Sequence, residues 1–255
     1  MFNSTTTLAA TTDVFFTAYA QSDFFGRLII LGLIALSLIC WLVLLKKGWQ
    51  SKSVRKLGAQ FLTALGGSKH PILSIDFEKL PKAKSEHLPH PFAAVFKAVK
   101  LKTLEILEKN HYFLRQMGEN KETQVFLSAS DLELIESHSQ TVISSEIKKL
   151  ERNLYILSTI VTLAPFLGLL GTVWGILVTF SGLQGGVGSA SNSAILGGLS
   201  TALATTVLGL IIAIPALISF NTLRASLKNI SSDLEDFSYY LLGQLELEYR
   251  KVEVR

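Results

Sequence analysis

From Leu154 to Leu223 the chain runs for seventy residues without one Asp, Glu, Lys, Arg or His. Soluble domains carry about 25% charged residues, so this stretch is read as membrane-embedded. A hydrocarbon core of about 30 Å is crossed by roughly 20 apolar residues, which makes seventy too many for one crossing. The segment SGLQGGVGSASNS at 181–193 interrupts it with Gly, Ser and Asn, the residues of turns and breaks. A helical hairpin is expected, with spans at 154–180 and 194–220 and a connecting loop at 181–193.

A third apolar run, LIILGLIALSLICWLVLL at Leu28–Leu45, gives a first span at 27–45. Overall 49% of the 255 residues are apolar and 17% charged, with a net charge of +4. That balance excludes a disordered chain and a collagen. The single cysteine, Cys40, lies within the first run, so neither a disulfide framework nor a cysteine metal site is expected. The N-terminus lacks the basic stretch of a signal peptide, which favours a retained span. Lys46, Lys47, Lys52, Arg55 and Lys56 follow the first run, whereas Arg27, Asp13 and Asp23 precede it. Cytoplasmic flanks collect Lys and Arg, and Arg152, Arg224 and Lys228 at the hairpin ends agree with the same topology. The expectation is an all-α integral membrane protein with three transmembrane helices, N-terminus out and C-terminus in. Residues 1–26 and the 181–193 loop would lie on the outer side, 46–153 would form a cytoplasmic helical domain and 221–255 a cytoplasmic C-terminal helix. The basic cluster is accounted for by topology and anionic lipid, so no nucleic acid is expected as a partner.

Within the hydrophilic insert, 51–65 reads as a helix and 72–91, with Pro71, Pro81, Pro89 and Pro91 in and around it, as an irregular connection. Phe92–Leu114 resumes a helical pattern. Ser130-Asp131-Leu132-Glu133 reads as a capping box. No Gly or Pro follows it before Pro165, which predicts one uninterrupted helix over 131–180, about 75 Å long at 1.5 Å per residue. The aqueous part of its apolar row needs neighbours: the 92–114 helix, the amphipathic tail Leu234–Val252, or other copies of the chain.

No Walker loop, HExxH or GxSxG is present, so the chain is not expected to be an enzyme. Gly185-Gly186-Val187-Gly188 reads as a loop, because the acidic partner of a dinucleotide site is missing. His87 and His90 are three apart but a proline separates them and no third ligand is evident, so they read as exposed loop histidines. Neither a metal nor another cofactor is expected. What stands out is the polar pattern inside the hairpin. Ser158, Thr162, Thr172 and Thr179 fall on one face of the second span, and Gly197, Thr201, Thr205, Gly209 and Ala213 form a ridge spaced by four on the third. Small residues and threonines also serve close packing of membrane helices. On the pattern alone packing outweighs a polar pore lining, and Gly168, Gly171, Gly175, Gly197 and Gly209 are the candidate packing positions.

Ala164-Pro165-Phe166-Leu167-Gly168-Leu169-Leu170-Gly171-Thr172-Val173-Trp174-Gly175, with Leu203-Ala204-Thr205-Thr206-Val207-Leu208-Gly209-Leu210-Ile211-Ile212-Ala213-Ile214-Pro215-Ala216, resembles the MotA/TolQ/ExbB proton channel family. The three-span layout with one large cytoplasmic insert is similar to its TolQ/ExbB branch rather than to the four-span MotA branch. The resemblance implies an inner-membrane homopentamer surrounding the single-span helices of a partner dimer of the TolR or ExbD type. Inward proton flow would drive motion transmitted to the outer envelope. It also implies that Thr172, Thr201 and Thr206 line the proton pathway. Family members of this branch usually carry a glutamate where this sequence has Thr201.

That departure has a physical consequence. With no ionisable side chain between Leu154 and Leu223 except Tyr155, the hairpin cannot itself hold a proton. The carrier would be a partner aspartate. A carboxylate at mid-membrane costs about 2.5–3.5 kcal/mol on insertion scales and is kept where it works. Thr205 and Thr206 lie about 100° apart on a helix, and the resemblance selects Thr206. The competing expectation is a structural scaffold for a single-span partner that does not conduct, with Thr201 as its mark. A secondary transporter is disfavoured because no inverted repeat is present.

Overall fold

The computed structural model describes residues 19–20, 22–66, 71–75, 89–116, 126–184 and 192–249. They form five α-helices, α1 Phe24–Gly66, α2 Pro91–Gln116, α3 Ala129–Glu151, α4 Leu154–Gln184 and α5 Asn192–Tyr249, with a 3-10 turn at Ile72–Ser74. The fold is all-α. Three helical stretches, Phe24–Gly66, Leu154–Gly182 and Ile195–Tyr249, are long and apolar enough to cross a membrane. The chain divides into two compact units, Met1–Lys46 with Asn153–Thr222 and Lys47–Arg152 with Leu223–Arg255.

The second unit has a helical core whose buried residues recur every one or two helical turns. Leu227, Ile230, Leu234, Phe237, Leu241 and Leu245 of α5 are all buried, as are Ile135, Ile143 and Leu150 of α3. Phe61 of α1 sits at the centre, fully buried, with its ring edge-on to Phe96 at 5.9 Å and to Phe237 at 6.0 Å. Such pairs add about 0.5–1.5 kcal/mol beyond the area they bury. The α3 row therefore finds two of its expected neighbours: α2 packs against α3, and the α5 tail meets it through a buried Ser139–Ser238 hydrogen bond. Leu127 N–H also donates to Tyr249 O at 2.9 Å.

The 51–65 segment is helical as expected and continues α1 without a break. Two local expectations are corrected. The capping box is formed by Ser128, not Ser130: Ser128 Oγ accepts from Asp131 N–H at 3.1 Å and Asp131 Oδ2 accepts from Ser128 N–H at 2.9 Å. The aspartate at the third helical position closes the box that was assigned to Glu133. Second, the 131–180 helix is interrupted. Arg152 leaves helical geometry at φ −50° and ψ 130°, and Asn153 adopts φ 71°, a left-handed conformation that Asn tolerates better than most side chains. Lys47 Nζ donates to Leu150 O at 2.7 Å, so a cation meets the carbonyl end of α3 where the helix dipole favours one. A lysine distant in sequence thus takes part in a stop that carries neither glycine nor proline.

Candidate functional site: a hydroxyl cluster between two membrane helices

Within the first unit α4 and α5 pack through their smallest residues. A methyl group on Gly168 would lie 2.9 Å from Thr205 O and 3.0 Å from Thr206 Cα. One on Gly175 would lie 2.7 Å from Ala202 Cβ, and one on Gly209 2.6 Å from Ala164 O. On Gly171 it would collide with the Thr205 side chain, and on Gly198 with Thr179 Oγ1. These pairs run antiparallel, from Ala164 with Gly209 at one end to Thr179 with Gly198 at the other. The α5 face in contact is Gly198, Ala202, Thr205 and Gly209, whose mixed spacing follows the 3.6-residue turn; a strict spacing of four drifts round the helix. Gly197 supplies the carbonyl that accepts from Thr201 Oγ1 at 2.9 Å.

This close approach brings two threonines of α5 to one carbonyl of α4. Thr206 Oγ1 donates to Gly168 O at 2.9 Å, Thr205 Oγ1 lies 3.2 Å from the same oxygen, and Thr205 donates to Ala202 O at 2.6 Å. Thr172 donates to Leu169 O at 2.7 Å and its Oγ1 lies 3.5 Å from that of Thr206. Thr172 and Thr206 are therefore brought together, while Thr201 bonds within its own helix. Thr205 is 4% exposed and Thr206 half-buried, so Thr205 is sealed between the helices and Thr206 sits at the edge of the seam. A hydroxyl has one proton and two lone pairs. With their protons directed to carbonyls, Thr172 and Thr206 have lone pairs to offer and can receive a hydrogen bond.

The rest of the expected hydroxyl face divides. Thr172 is buried against α5, whereas Ser158 and Thr162 are exposed within the single chain. A second polar contact was not legible in the sequence. Asp23 Oδ2 accepts from Trp174 Nε1 at 2.8 Å while Oδ1 accepts from Gly26 N–H at 2.9 Å at the start of α1. The Phe25 ring lies 4.5 Å from that of Trp174. Partial burial raises the Asp23 carboxyl, but the hydrogen bonds from Trp174, Gly26 and Phe25 outweigh it and hold the group below its ordinary value of 3.8. An aspartate just ahead of an apolar run and a tryptophan in the next span were the available signals, yet nothing in the sequence pairs them.

His87 and the 185–188 glycine cluster lie outside the described residues. His90 is not an exposed loop residue: it is half-buried, its Nδ1 accepts from Ala93 N–H at 3.2 Å, and its ring meets Phe61 edge-on at 5.2 Å. It caps α2, whose first residue, Pro91, has no N–H to satisfy. Among the described residues no group of three or more His, Cys, Asp or Glu could hold a metal ion.

A chain of three membrane-crossing helices whose hairpin is joined by glycine and threonine defines a multi-span membrane protein with hydroxyls, rather than charges, in its core. The model of the MotA/TolQ/ExbB proton channel family matches residues 100–236, just over half the chain, and the protein belongs to this family. It is an inner-membrane protein. It is 30% identical over 200 residues to the Tol-Pal system protein TolQ of Pseudomonas aeruginosa, covering 78% of each chain. It is 34% identical over 148 residues to the biopolymer transport protein ExbB-like 3 of Synechocystis sp., covering 54% of this chain and 67% of that one. With the biopolymer transport protein ExbB of Xanthomonas campestris pv. campestris the identity is 37% over 117 residues, 43% of this chain and 46% of the relative. The chain thus spans between about half and four fifths of these relatives' lengths.

Proposed function

We propose that this protein is the ring-forming subunit of a proton-driven inner-membrane motor, of the TolQ–TolR or ExbB–ExbD kind, which couples proton flow to work on the outer envelope. In this reading five copies, N-terminus out and C-terminus in, surround a dimer of single-span partners whose intramembrane aspartate carries the proton. The observation that carries it is the pairing of Thr172 with Thr206 at the half-buried edge of the α4–α5 seam, in a hairpin with no titratable group except Tyr155. Hydroxyls whose protons are already directed to carbonyls receive hydrogen bonds, so they suit a carboxyl that arrives protonated. They stabilise that neutral form without becoming charged themselves. Gly168, Gly171, Gly175 and Gly209, together with Gly198, serve the close approach of helices that holds these hydroxyls in place, while Gly197 accepts from Thr201 within α5.

Co-expression with a single-span protein bearing an intramembrane aspartate, followed by native mass spectrometry and proton uptake in liposomes, tests the reading. A ring of five with two partners is expected. Thr172→Val and Thr206→Val should each slow uptake roughly tenfold, the worth of about one net hydrogen bond, with assembly unchanged. A complex that assembles but passes no protons would leave the non-conducting scaffold. That second reading is favoured by Thr201, which stands where the family usually has glutamate and spends its proton within its own helix. Thr201→Val with unchanged uptake removes Thr201 from the pathway.

A further inference from the structure

One feature of α1 is used neither by the core nor by the channel reading. Trp49, Lys52 and Lys56 recur at spacings of three and four, which at 100° per residue places them within about 60° of one another on the helix. All three are exposed, Trp49 at 68%. Neither lysine makes an ion pair or a hydrogen bond among the described residues. The other face of the same stretch, with Ser51, Val54, Gly58 and Phe61, is buried. Lys47 offers the contrast: it lies on the inward side and holds the Leu150 carbonyl.

The position along the helix matters as much as the face. The apolar run ends at Leu45, so a rise of 1.5 Å per residue places Trp49 about 6 Å and Lys52 about 10 Å beyond it. The headgroup layer extends roughly 5–8 Å past the hydrocarbon on each side. Tryptophan is enriched at that depth, and a lysine stem lies along apolar surface while its ammonium reaches polar groups. Orientation in the membrane requires only a number of basic residues on one side, which Lys46, Lys47 and Arg55 also supply. It does not require two lysines without an ion pair or hydrogen bond among the described residues, in register with an exposed tryptophan.

We propose that Trp49, Lys52 and Lys56 form a binding site for the phosphate headgroup of an anionic phospholipid. The indole sits among the headgroups with its N–H available to a phosphate or ester oxygen, Lys52 pairs with the phosphate, and Lys56 adds attraction from the adjoining aqueous layer. This site does not depend on proton conduction, and a protein that conducts nothing would still carry it.

The test uses the full chain in nanodiscs of phosphatidylglycerol and phosphatidylcholine at one to three, with retained lipid counted by native mass spectrometry on release. Phosphatidylglycerol should be enriched over its share. Lys52→Gln and Lys56→Gln should each lower that enrichment by roughly fivefold, and raised ionic strength should lower it in the wild type. Lys97→Gln, an exposed lysine of α2, should leave it unchanged. Equal retention of the two lipids by the wild type overturns the proposal, and this arm needs no variant to fold. If the lysine variants change the number of copies in pure phosphatidylcholine and leave lipid retention alone, the stripe is a protein contact.

Discussion

The α4–α5 seam and the core around Phe61 pack helices with opposite materials. In the seam, glycine, alanine and threonine let backbones approach until a single added methyl meets a carbonyl. Around Phe61, rings 5.2–6.0 Å apart fill the space between helices. The difference follows the solvent. Lipid tails are as apolar as leucine and give helices little hydrophobic reason to associate, so close contact and hydrogen bonds must hold them. In water the burial of large apolar surface is the dominant favourable contribution, so the second unit uses its bulkiest side chains.

Substitutions that exchange these materials should break the comparison, and the largest effect is expected at the aromatic centre. Phe61→Ala leaves a cavity among three helices and should cost about 3–5 kcal/mol, read as a lower midpoint of reversible denaturant unfolding in detergent. A loss below 1 kcal/mol would mean that the rings do not form the core. Next come the seam glycines. Gly209→Ala drives a methyl against Ala164 O, a backbone atom that cannot rotate away, and overpacking of this kind costs about 1–3 kcal/mol. Gly182→Ala, with nothing within 4 Å, should leave SDS resistance and unfolding unchanged. If both alanine variants behave alike, close approach is not what joins α4 to α5.

Smaller effects sharpen the second unit. Ser128→Ala removes the acceptor for Asp131 N–H and should cost about 1 kcal/mol, seen as earlier fraying of α3 in hydrogen exchange. Asp131 also gives this unit a pH signature. Partial burial raises its carboxyl, but hydrogen bonds from Ser128 and Asn110 and the charge of Lys109 outweigh that and bring it below 3.8. A carboxyl lowered on folding stabilises the fold above its unfolded value, and that contribution is lost as pH falls through the folded one. Melting followed from pH 6 to pH 2 should therefore show a decline below about 3.8 that Asp131→Asn flattens. Smallest is Asn153→Gly, which should be neutral because glycine populates φ 71° at no steric cost, whereas Asn153→Ala should cost about 1 kcal/mol.

Much was legible in the chain alone because membranes and helices impose simple local rules. Seventy uncharged residues cannot be mistaken for a soluble surface, and the motif from Ala164 to Gly175 with that from Leu203 to Ala216 is specific enough to place the family. What was missed depends on residues far apart in sequence. The stop at Arg152–Asn153 has no glycine or proline to announce it and includes Lys47, more than a hundred positions away. Ser128 and Ser130 are equally good cap residues by type, and only the reach of Asp131 chooses between them. His90 reads as an exposed loop residue in the sequence, and only the packing of Phe61 and the start of α2 around it makes it a half-buried cap.

Sequence by itself determined the all-α class, the three apolar spans and the absence of any proton-holding side chain but Tyr155 in the hairpin, since composition and periodicity act within one helix. Tertiary structure alone decided that Thr205 is sealed, that Thr206 meets Thr172, and that Gly198 faces Thr179. Those outcomes rest on how two helices rotate about their axes when they touch, and rotation is set by the partner's surface.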